Sequence, residues 1–400
     1  MRIITFSATR YRSLRSVEGW EPGVLNVLIG PNGSGKSNVL RAIDLLSVSA
    51  QGRLAKSVQF AGGIEPLLWD GQENDLGLSV KCSPTEQDRD PARESLSYEF
   101  RLARLGRGSD FEIGSEQLAN FYRVSQNPSE RPFKFLERNG VRVRIFDDDE
   151  RGLVQPEEEI PPQETMLSLA KGPFNQNRIL SQFRAQLAGF SVYHDFHTHR
   201  DAIIRQPTVT RHETRVDADG QNLVSVLHTL YTGDRDFKNE VNDAMTAAFG
   251  SDFEELVFPP AADQRIQLRL RWRSLRREQS AADLSDGTLR FLFLLTVLAS
   301  PDPAPVIAID EPETGLHPSM LPIVAEYAVQ ASRKAQVILT THSPQFLDAF
   351  SDTRPRTTVV QRRDGETHLH ALDEDQLGRW LESYTLGALH RSGELEEMAS

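Results

Sequence analysis

The 400-residue sequence holds a single cysteine, Cys82, and no Cys-x-x-Cys pair, which excludes an internal disulfide framework and a zinc site of the usual cysteine spacing. Long apolar runs are missing too. The longest, Phe291 to Ala299 with Thr296 interrupting it, falls far short of the roughly 20 residues that cross a bilayer. The start of the chain, Met1-Arg2-Ile3-Ile4-Thr5-Phe6-Ser7, lacks the apolar stretch and small-residue cleavage site of a signal peptide. A cytoplasmic location away from membranes is therefore expected. The chain also has no excess of positive charge: its net charge is −12, so any nucleic-acid contact must come from a local basic patch. The 38% apolar content suffices for a large core, and the length suggests two or three domains.

What is present is organised around Gly30-Pro31-Asn32-Gly33-Ser34-Gly35-Lys36-Ser37. The loop follows the apolar run Val24 to Ile29 and precedes the helix-like Asn38-Val39-Leu40-Arg41-Ala42-Ile43. The spacing G-x-x-x-x-G-K-[ST] between a strand and a helix is that of a phosphate-binding loop, in which Gly30, Gly33 and Gly35 let successive backbone N–H groups point at phosphate oxygens. Asn32, Ser34 and Asn38 belong to the same cradle. The helix adds its positive N-terminal end, Lys36 can reach the β- and γ-phosphates, and the Ser37 hydroxyl suits a Mg²⁺ held against them.

Along the chain, residues 1–75 read as the N-terminal half of a nucleotide-binding core. From 76 to 174 the pattern becomes antiparallel β: Leu78, Val80 and Cys82 alternate with polar residues, as do Tyr98, Phe100 and Leu102, and Val141, Val143 and Ile145 follow the turn signal Asn139-Gly140. Ser83 to Ser95 and Asp147 to Glu164, rich in charge and proline, are expected to be exposed loops, with Asp147-Asp148-Asp149-Glu150 a solvated acidic run. Residues 175–263 form a helical insert, clearest at Phe237, Val241, Met245 and Phe249, with a short strand at Gly189 to Asp195. The stretch Gln264 to Arg273 alternates strictly and predicts one strand, with Ile266, Leu268, Leu270 and Trp272 on one face. Its other face carries Arg265, Arg269, Arg271 and Arg273. A solvated outer face and a phosphate-backbone contact both fit that stripe, with Arg142 and Arg144 as an extension.

Residues 264–400 complete the core. Val306-Ile307-Ala308-Ile309 is a fully apolar strand, the mark of a buried parallel sheet, and it ends in Asp310-Glu311-Pro312-Glu313. Asp310 is positioned as the second Mg²⁺ contact, and Glu311 as the carboxylate that polarises a water for in-line attack on the γ-phosphate. Val337-Ile338-Leu339 runs into Thr340-Thr341-His342-Ser343-Pro344, bringing His342 to the same carboxyl edge of the sheet.

The glycine loop, Leu284-Ser285-Asp286-Gly287-Thr288, Asp310-Glu311-Pro312-Glu313-Thr314-Gly315-Leu316-His317-Pro318 and Thr341-His342-Ser343-Pro344, in that order, resemble the ABC-type ATPase heads of the RecF, SMC and OLD group. Among these, the chain is most similar to compact stand-alone AAA family ATPases of bacterial defence operons. The resemblance covers nearly the whole chain, down to Tyr384-Thr385-Leu386-Gly387-Ala388-Leu389. It implies an α/β fold: a P-loop ATPase head with a mixed core sheet, an antiparallel β lobe and an inserted helical lobe. It also implies that Ser285, Asp286 and Gly287 open a helix whose N-terminus meets the γ-phosphate held by a second copy. A C2 homodimer with two ATP and two Mg²⁺ between the copies follows.

The sequence departs from the family pattern at three points. The glutamine that senses Mg²⁺ in many such heads is not evident, and Gln59 and His194 both stand as substitutes. His317 stands where transporter heads usually carry aspartate, and no long heptad stretch supplies the coiled-coil arm of SMC proteins. Too little chain follows Ser343 for the nuclease domain of OLD proteins, so a nuclease is expected to be a separate effector. Three functions remain in view: a switch controlling such an effector in antiviral defence, a RecF-like ATPase that clamps or loads on DNA in repair, and a transporter subunit. The large insert between glycine loop and signature is unlike transporter heads.

Overall fold

Alternation in the first half of the sequence becomes an eight-stranded antiparallel sheet in the computed structural model, which describes residues 1–83, 93–106, 108–122, 132–147, 150–156, 160–170, 177–350 and 353–398. In sheet order the strands are Leu14–Trp20, Ile3–Tyr11, Asp75–Cys82, Arg93–Arg104, Phe111–Tyr122, Phe133–Asn139, Arg142–Asp147 and Gly152–Val154. The register pairs Leu78 with Phe100, Val80 with Tyr98 and Cys82 with Leu96, so the apolar positions of neighbouring strands fall on one face and all six are buried.

The sheet extends beyond the lobe expected at 76–174. The strand Ile3–Tyr11 pairs with Asp75–Cys82, setting Phe6 against Val80 and Ala8 against Leu78, so the N-terminal hairpin joins the same apolar face. At the other edge, Gly152–Val154 is a strand where the composition of 147–164 suggested only loop; it pairs Val154 with Ile145. Val141 is 92% exposed at its turn, whereas Val143 and Ile145 are buried as the alternation requires. Residues 84–92 of the loop expected at Ser83 to Ser95, and Asp148 and Asp149 of the acidic run, lie outside the described residues.

This sheet belongs to the first of two compact units, made of Met1–Gly23, Gly30–Phe190 and Thr358–Ala371. Within it, the helix Lys36–Gln51 is buried along most of its length, and its end is fixed by Gly52, whose left-handed backbone (φ 73°) returns an N–H to the Val48 carbonyl. Ser47 Oγ donates to the carbonyls of Ala188 and Phe190 at 3.2 and 3.1 Å, fastening this helix to the end of the helix Arg178–Ala188. A fully buried carboxylate organises the segment after the sheet. Glu116 accepts hydrogen bonds from the Met166 and Leu167 amides at 2.7 and 2.9 Å and from Tyr98 Oη at 3.0 Å. Burial holds its carboxyl above the usual carboxylate range, against the pull of those donors.

The second unit comprises Val24–Ile29, Ser191–Thr357 and Leu372–Ser400. The units are thus interleaved along the chain. Its sheet aligns Ser191–Tyr193, Val306–Ile309, Gln336–Thr341 and Leu25–Ile29, all parallel. Every residue of the last three strands is buried, which is why they read as continuous apolar runs rather than alternation. The helices Asp286–Leu298 and Leu321–Ser332 belong to the same unit. The helix Arg235–Phe249 is amphipathic as its spacing predicts, with Phe237, Val241 and Met245 buried.

Candidate nucleotide-binding and hydrolysis site

The glycine loop is shaped by backbone that only glycine adopts without strain. Gly30, Gly33 and Gly35 have φ of 151°, 80° and 107°. A Cβ on Gly30 would lie 2.2 Å from the Val360 carbonyl oxygen, and one on Gly35 would lie 2.1 Å from Thr367 Oγ1. Lys36 Nζ, buried at 4% exposure, donates to the Gly30 and Pro31 carbonyls at 2.6 and 3.2 Å, so the loop curls around its own lysine. Ser37 is the next residue of the helix. Asn38 Nδ2 donates to Ser13 Oγ at 2.7 Å, and Thr367 Oγ1 donates to the Ser34 carbonyl at 2.8 Å. Ser34 Oγ is shielded from solvent and has no hydrogen-bond partner among the described residues. A concave run of left-handed glycines, a lysine and an orphaned hydroxyl is a donor set for phosphate oxygens.

In the second unit, the carboxyl ends of the parallel strands gather the remaining chemistry. The Asp310 amide donates to the Tyr193 carbonyl at 2.9 Å, continuing the ladder by one residue. Asp310 Oδ1 then accepts from Thr340 Oγ1 at 2.5 Å, and that oxygen accepts from the Glu311 amide at 3.0 Å. Glu311 has φ 46°, a left-handed conformation costing a non-glycine residue about 1 kcal/mol or more. The turn brings its Oε1 to 3.1 Å from His342 Nδ1, while Arg290 Nη2 donates to the Glu311 carbonyl at 3.2 Å. Glu313 is bonded by the Thr341 hydroxyl and, at 3.3 Å, by the His342 amide. Burial pushes the Glu313 carboxyl above its ordinary value, opposed by those hydrogen bonds. A carboxylate paired with an imidazole beside a second carboxylate is an arrangement for polarising water.

The signature is a capped helix start. Ser285 is the N-cap of Asp286–Leu298, and its Oγ accepts from the Thr288 amide at 3.1 Å and lies 2.8 Å from Thr288 Oγ1. Gly287 is demanded by a close approach: a Cβ there would lie 2.7 Å from the Gly315 carbonyl oxygen. The signature and the segment after Glu311 are therefore packed backbone to backbone.

A family profile described as "AAA domain, putative AbiEii toxin, Type IV TA system" matches residues 25–348. The chain belongs to this family. Its fold is that of the ABC-type ATPase heads of the RecF, SMC and OLD group. The "OLD nuclease" of Thermus scotoductus (strain ATCC 700910 / SA-01) is 22% identical over 365 residues, covering 88% of this chain and 61% of that protein. The head thus spans less than two thirds of that relative's length. Its α/β fold is similar to a crystal structure of an Smc head bound to the C-winged helix domain of ScpA, with TM-score 0.58 and 13% identity over 95% of this chain and 100% of that one.

The structure of this head also brings in residues that sequence reasoning passed over. Arg205, only 9% exposed, donates to the carbonyls of Thr198 at 2.8 Å, Ala281 at 3.0 Å and Leu284 at 2.7 Å, and to Asp286 Oδ1 at 2.6 Å. One guanidinium thereby ties down the loop that carries Ser285 and Asp286. Thr367, Ser13, Thr341 and Glu313 have similar bracing parts. Of the two substitutes for the missing glutamine, Gln59 is an exposed residue of the helix Leu54–Phe60 in the first unit. His194 directly follows the strand Ser191–Tyr193, whose parallel register sets Tyr193 beside Ile309. The imidazole therefore stands next to Asp310, with Nδ1 3.8 Å from Oδ2.

The single strand expected over Gln264 to Arg273 is broken in two. Arg265–Ile266 pairs with Thr208–Val209 and Pro260–Ala261, whereas Arg269–Trp272 pairs with Phe253–Val257 and Gln279–Ser280. The apolar face holds, since Ile266, Leu268 and Leu270 are buried. The basic face does not stay uniformly basic. Arg271 bridges Glu255 at 2.5 Å and Glu278 at 2.8 Å, and Arg269 lies 3.8 Å from Glu278. Arg265 and Arg273 are exposed. On the other lobe, Arg144 is bonded to Glu137. Among the described residues, no helix is long and apolar enough to cross a membrane.

Proposed function

We propose that this head binds and hydrolyses ATP with Mg²⁺, pairs head to tail with a second copy around two ATP, and thereby switches a separate effector, a nuclease, in DNA-related antiviral defence. The observation that carries the reading is the Glu311 carboxylate, held 3.1 Å from His342 Nδ1 by a left-handed backbone at the end of a buried parallel strand. Gly30, Gly33, Gly35 and the Ser34 hydroxyl take the phosphates, and Lys36 reaches from its loop carbonyls to the β- and γ-phosphates. Ser37 and Asp310 would hold Mg²⁺, which neutralises phosphate charge when bound. Glu311 accepts a proton from the attacking water, and His342 orients that carboxylate. Ser285, Asp286 and Gly287, braced by Arg205, contribute the helix start that meets the γ-phosphate of the second copy.

The descriptions of the relatives support the cellular part of the reading. One relative is an OLD nuclease and the family carries a toxin–antitoxin description. The test is Glu311→Gln, which keeps side-chain size but cannot take a proton. ATP binding should persist, turnover should fall by about 10² or more, and an ATP-dependent dimer should accumulate in sedimentation velocity. Hydrolysis at the parental rate would remove Glu311 from the mechanism. Co-purification with the product of the adjacent gene, with and without ATP, tests the effector.

A further inference from the structure

His194 is chemically unusual among the residues described. Its side chain is 14% exposed, both ring nitrogens are shielded from solvent, and neither has a hydrogen-bond partner among the described residues. Buried imidazole nitrogens are ordinarily paired, because leaving a buried donor or acceptor unmade costs about 1–3 kcal/mol. The near neighbour is Asp310, whose Oδ2 is 3.8 Å from Nδ1. That is too far for a hydrogen bond. It matches two ligands of one cation, since ligand bonds of about 2.0–2.2 Å set neighbouring ligand atoms roughly 3–4 Å apart. The position is fixed by secondary structure rather than by loop chance. Parallel pairing of Tyr193 with Ile309 brings the residues that follow, His194 and Asp310, to the same sheet edge.

We infer that His194 is a nitrogen ligand of the nucleotide-bound metal, and that it gives the site a preference for first-row divalent transition ions over Mg²⁺. The inference rests on the nucleotide reading above and adds to it. An amide or water oxygen at this place suits Mg²⁺, a hard ion that gives up oxygen ligands reluctantly. A neutral imidazole binds Mn²⁺ and the later first-row ions better than Mg²⁺. Nδ1 then has a partner that none of the described residues supplies.

The probe is Mn²⁺ with ATPγS, whose phosphate chain contains no nitrogen. Pulsed electron paramagnetic resonance of the parent should detect a ¹⁴N coupling to Mn²⁺, and labelling the protein with ¹⁵N-histidine should convert it to a ¹⁵N coupling. His194→Gln should abolish the coupling, lower the Mn²⁺-over-Mg²⁺ preference in competitive nucleotide binding by about tenfold, and leave Mg²⁺-supported binding in place. His342→Gln should retain the coupling. If Mn²⁺ and nucleotide bind but no histidine nitrogen couples, or His194→Gln keeps the parental metal preference, His194 is only a buried imidazole and the inference fails. If neither metal supports nucleotide binding by the parent, the nucleotide reading fails with it.

Discussion

Arg205 offers the sharpest test of how the signature is held. Replacing it by methionine keeps much of the stem volume but removes every donor. The carbonyls of Leu284 and Thr198, bonded at 2.7 and 2.8 Å, then lose their donor, at about 1–3 kcal/mol each, while the Ala281 carbonyl keeps the Leu284 amide at 3.4 Å. Asp286 loses a 2.6 Å ion pair, yet its side chain is 68% exposed, so water takes over and little is added. Allowing some water entry to the loop, about 3 kcal/mol is a reasonable total. For a unit of this size, about 2–4 °C of Tm per kcal/mol translates this into a fall of roughly 6–12 °C. Arg205→Lys keeps one charged donor and should lose about half as much. The assay is differential scanning calorimetry, with nucleotide affinity measured alongside. Nucleotide binding to the separate copy should survive, while ATP-driven dimerisation weakens. A methionine variant melting within about 2 °C of the parent would refute the reasoning.

The residues of the proposed site are legible in the sequence as local motifs, and what braces them is not. Gly30, Gly33 and Gly35 are set by local backbone demands, and a fully apolar strand ending in Asp310-Glu311 is set by burial on both sheet faces; each leaves a mark within about ten residues. Arg205, Thr367 and Glu313 act on loops far along the chain: Thr367 reaches Ser34 across a separation of 333 positions, and Arg205 reaches Leu284 across 79. No local period encodes such pairs. The same limit explains the broken basic strand. Alternation predicts the buried Ile266, Leu268 and Leu270, with Trp272 only half-buried, but cannot register that Ile266 and Arg269 take different partner strands, or that Glu255 and Glu278 lie against Arg271. Glu116 left no such mark, because what buries it is distant: it pairs with Phe100 and receives the Met166 and Leu167 amides.

Three further outcomes are expected. Gly287→Ala sets a Cβ 2.7 Å from the Gly315 carbonyl oxygen, a backbone atom that cannot swing aside, so ATPase turnover should fall at least tenfold with nucleotide binding retained; unchanged turnover would free the signature of that constraint. If the basic stripe contacts duplex DNA, the exposed Arg265 and Arg273 carry it, and changing both to Gln should lower the salt slope of binding by about two, whereas Arg271→Gln should not; equal slopes in all proteins would reduce the stripe to a solvated face. The last concerns Glu116. Its carboxyl is raised above the ordinary value of 4.5 by burial, so between 4.5 and the native value the folded state binds more protons than the unfolded one. Stability must therefore fall as pH rises through that window, and level off above it. Glu116→Gln is neutral throughout and lacks this dependence, although its amide sets an N–H against one of the Met166 and Leu167 amides and so costs stability at every pH. The difference in unfolding free energy between variant and parent, taken from urea midpoints across pH 4.5 to 7.5, should accordingly shift toward the variant with rising pH. A shift toward the parent would mean that the buried carboxylate is held charged by the Met166, Leu167 and Tyr98 donors, and that hydrogen bonding rather than burial governs this position.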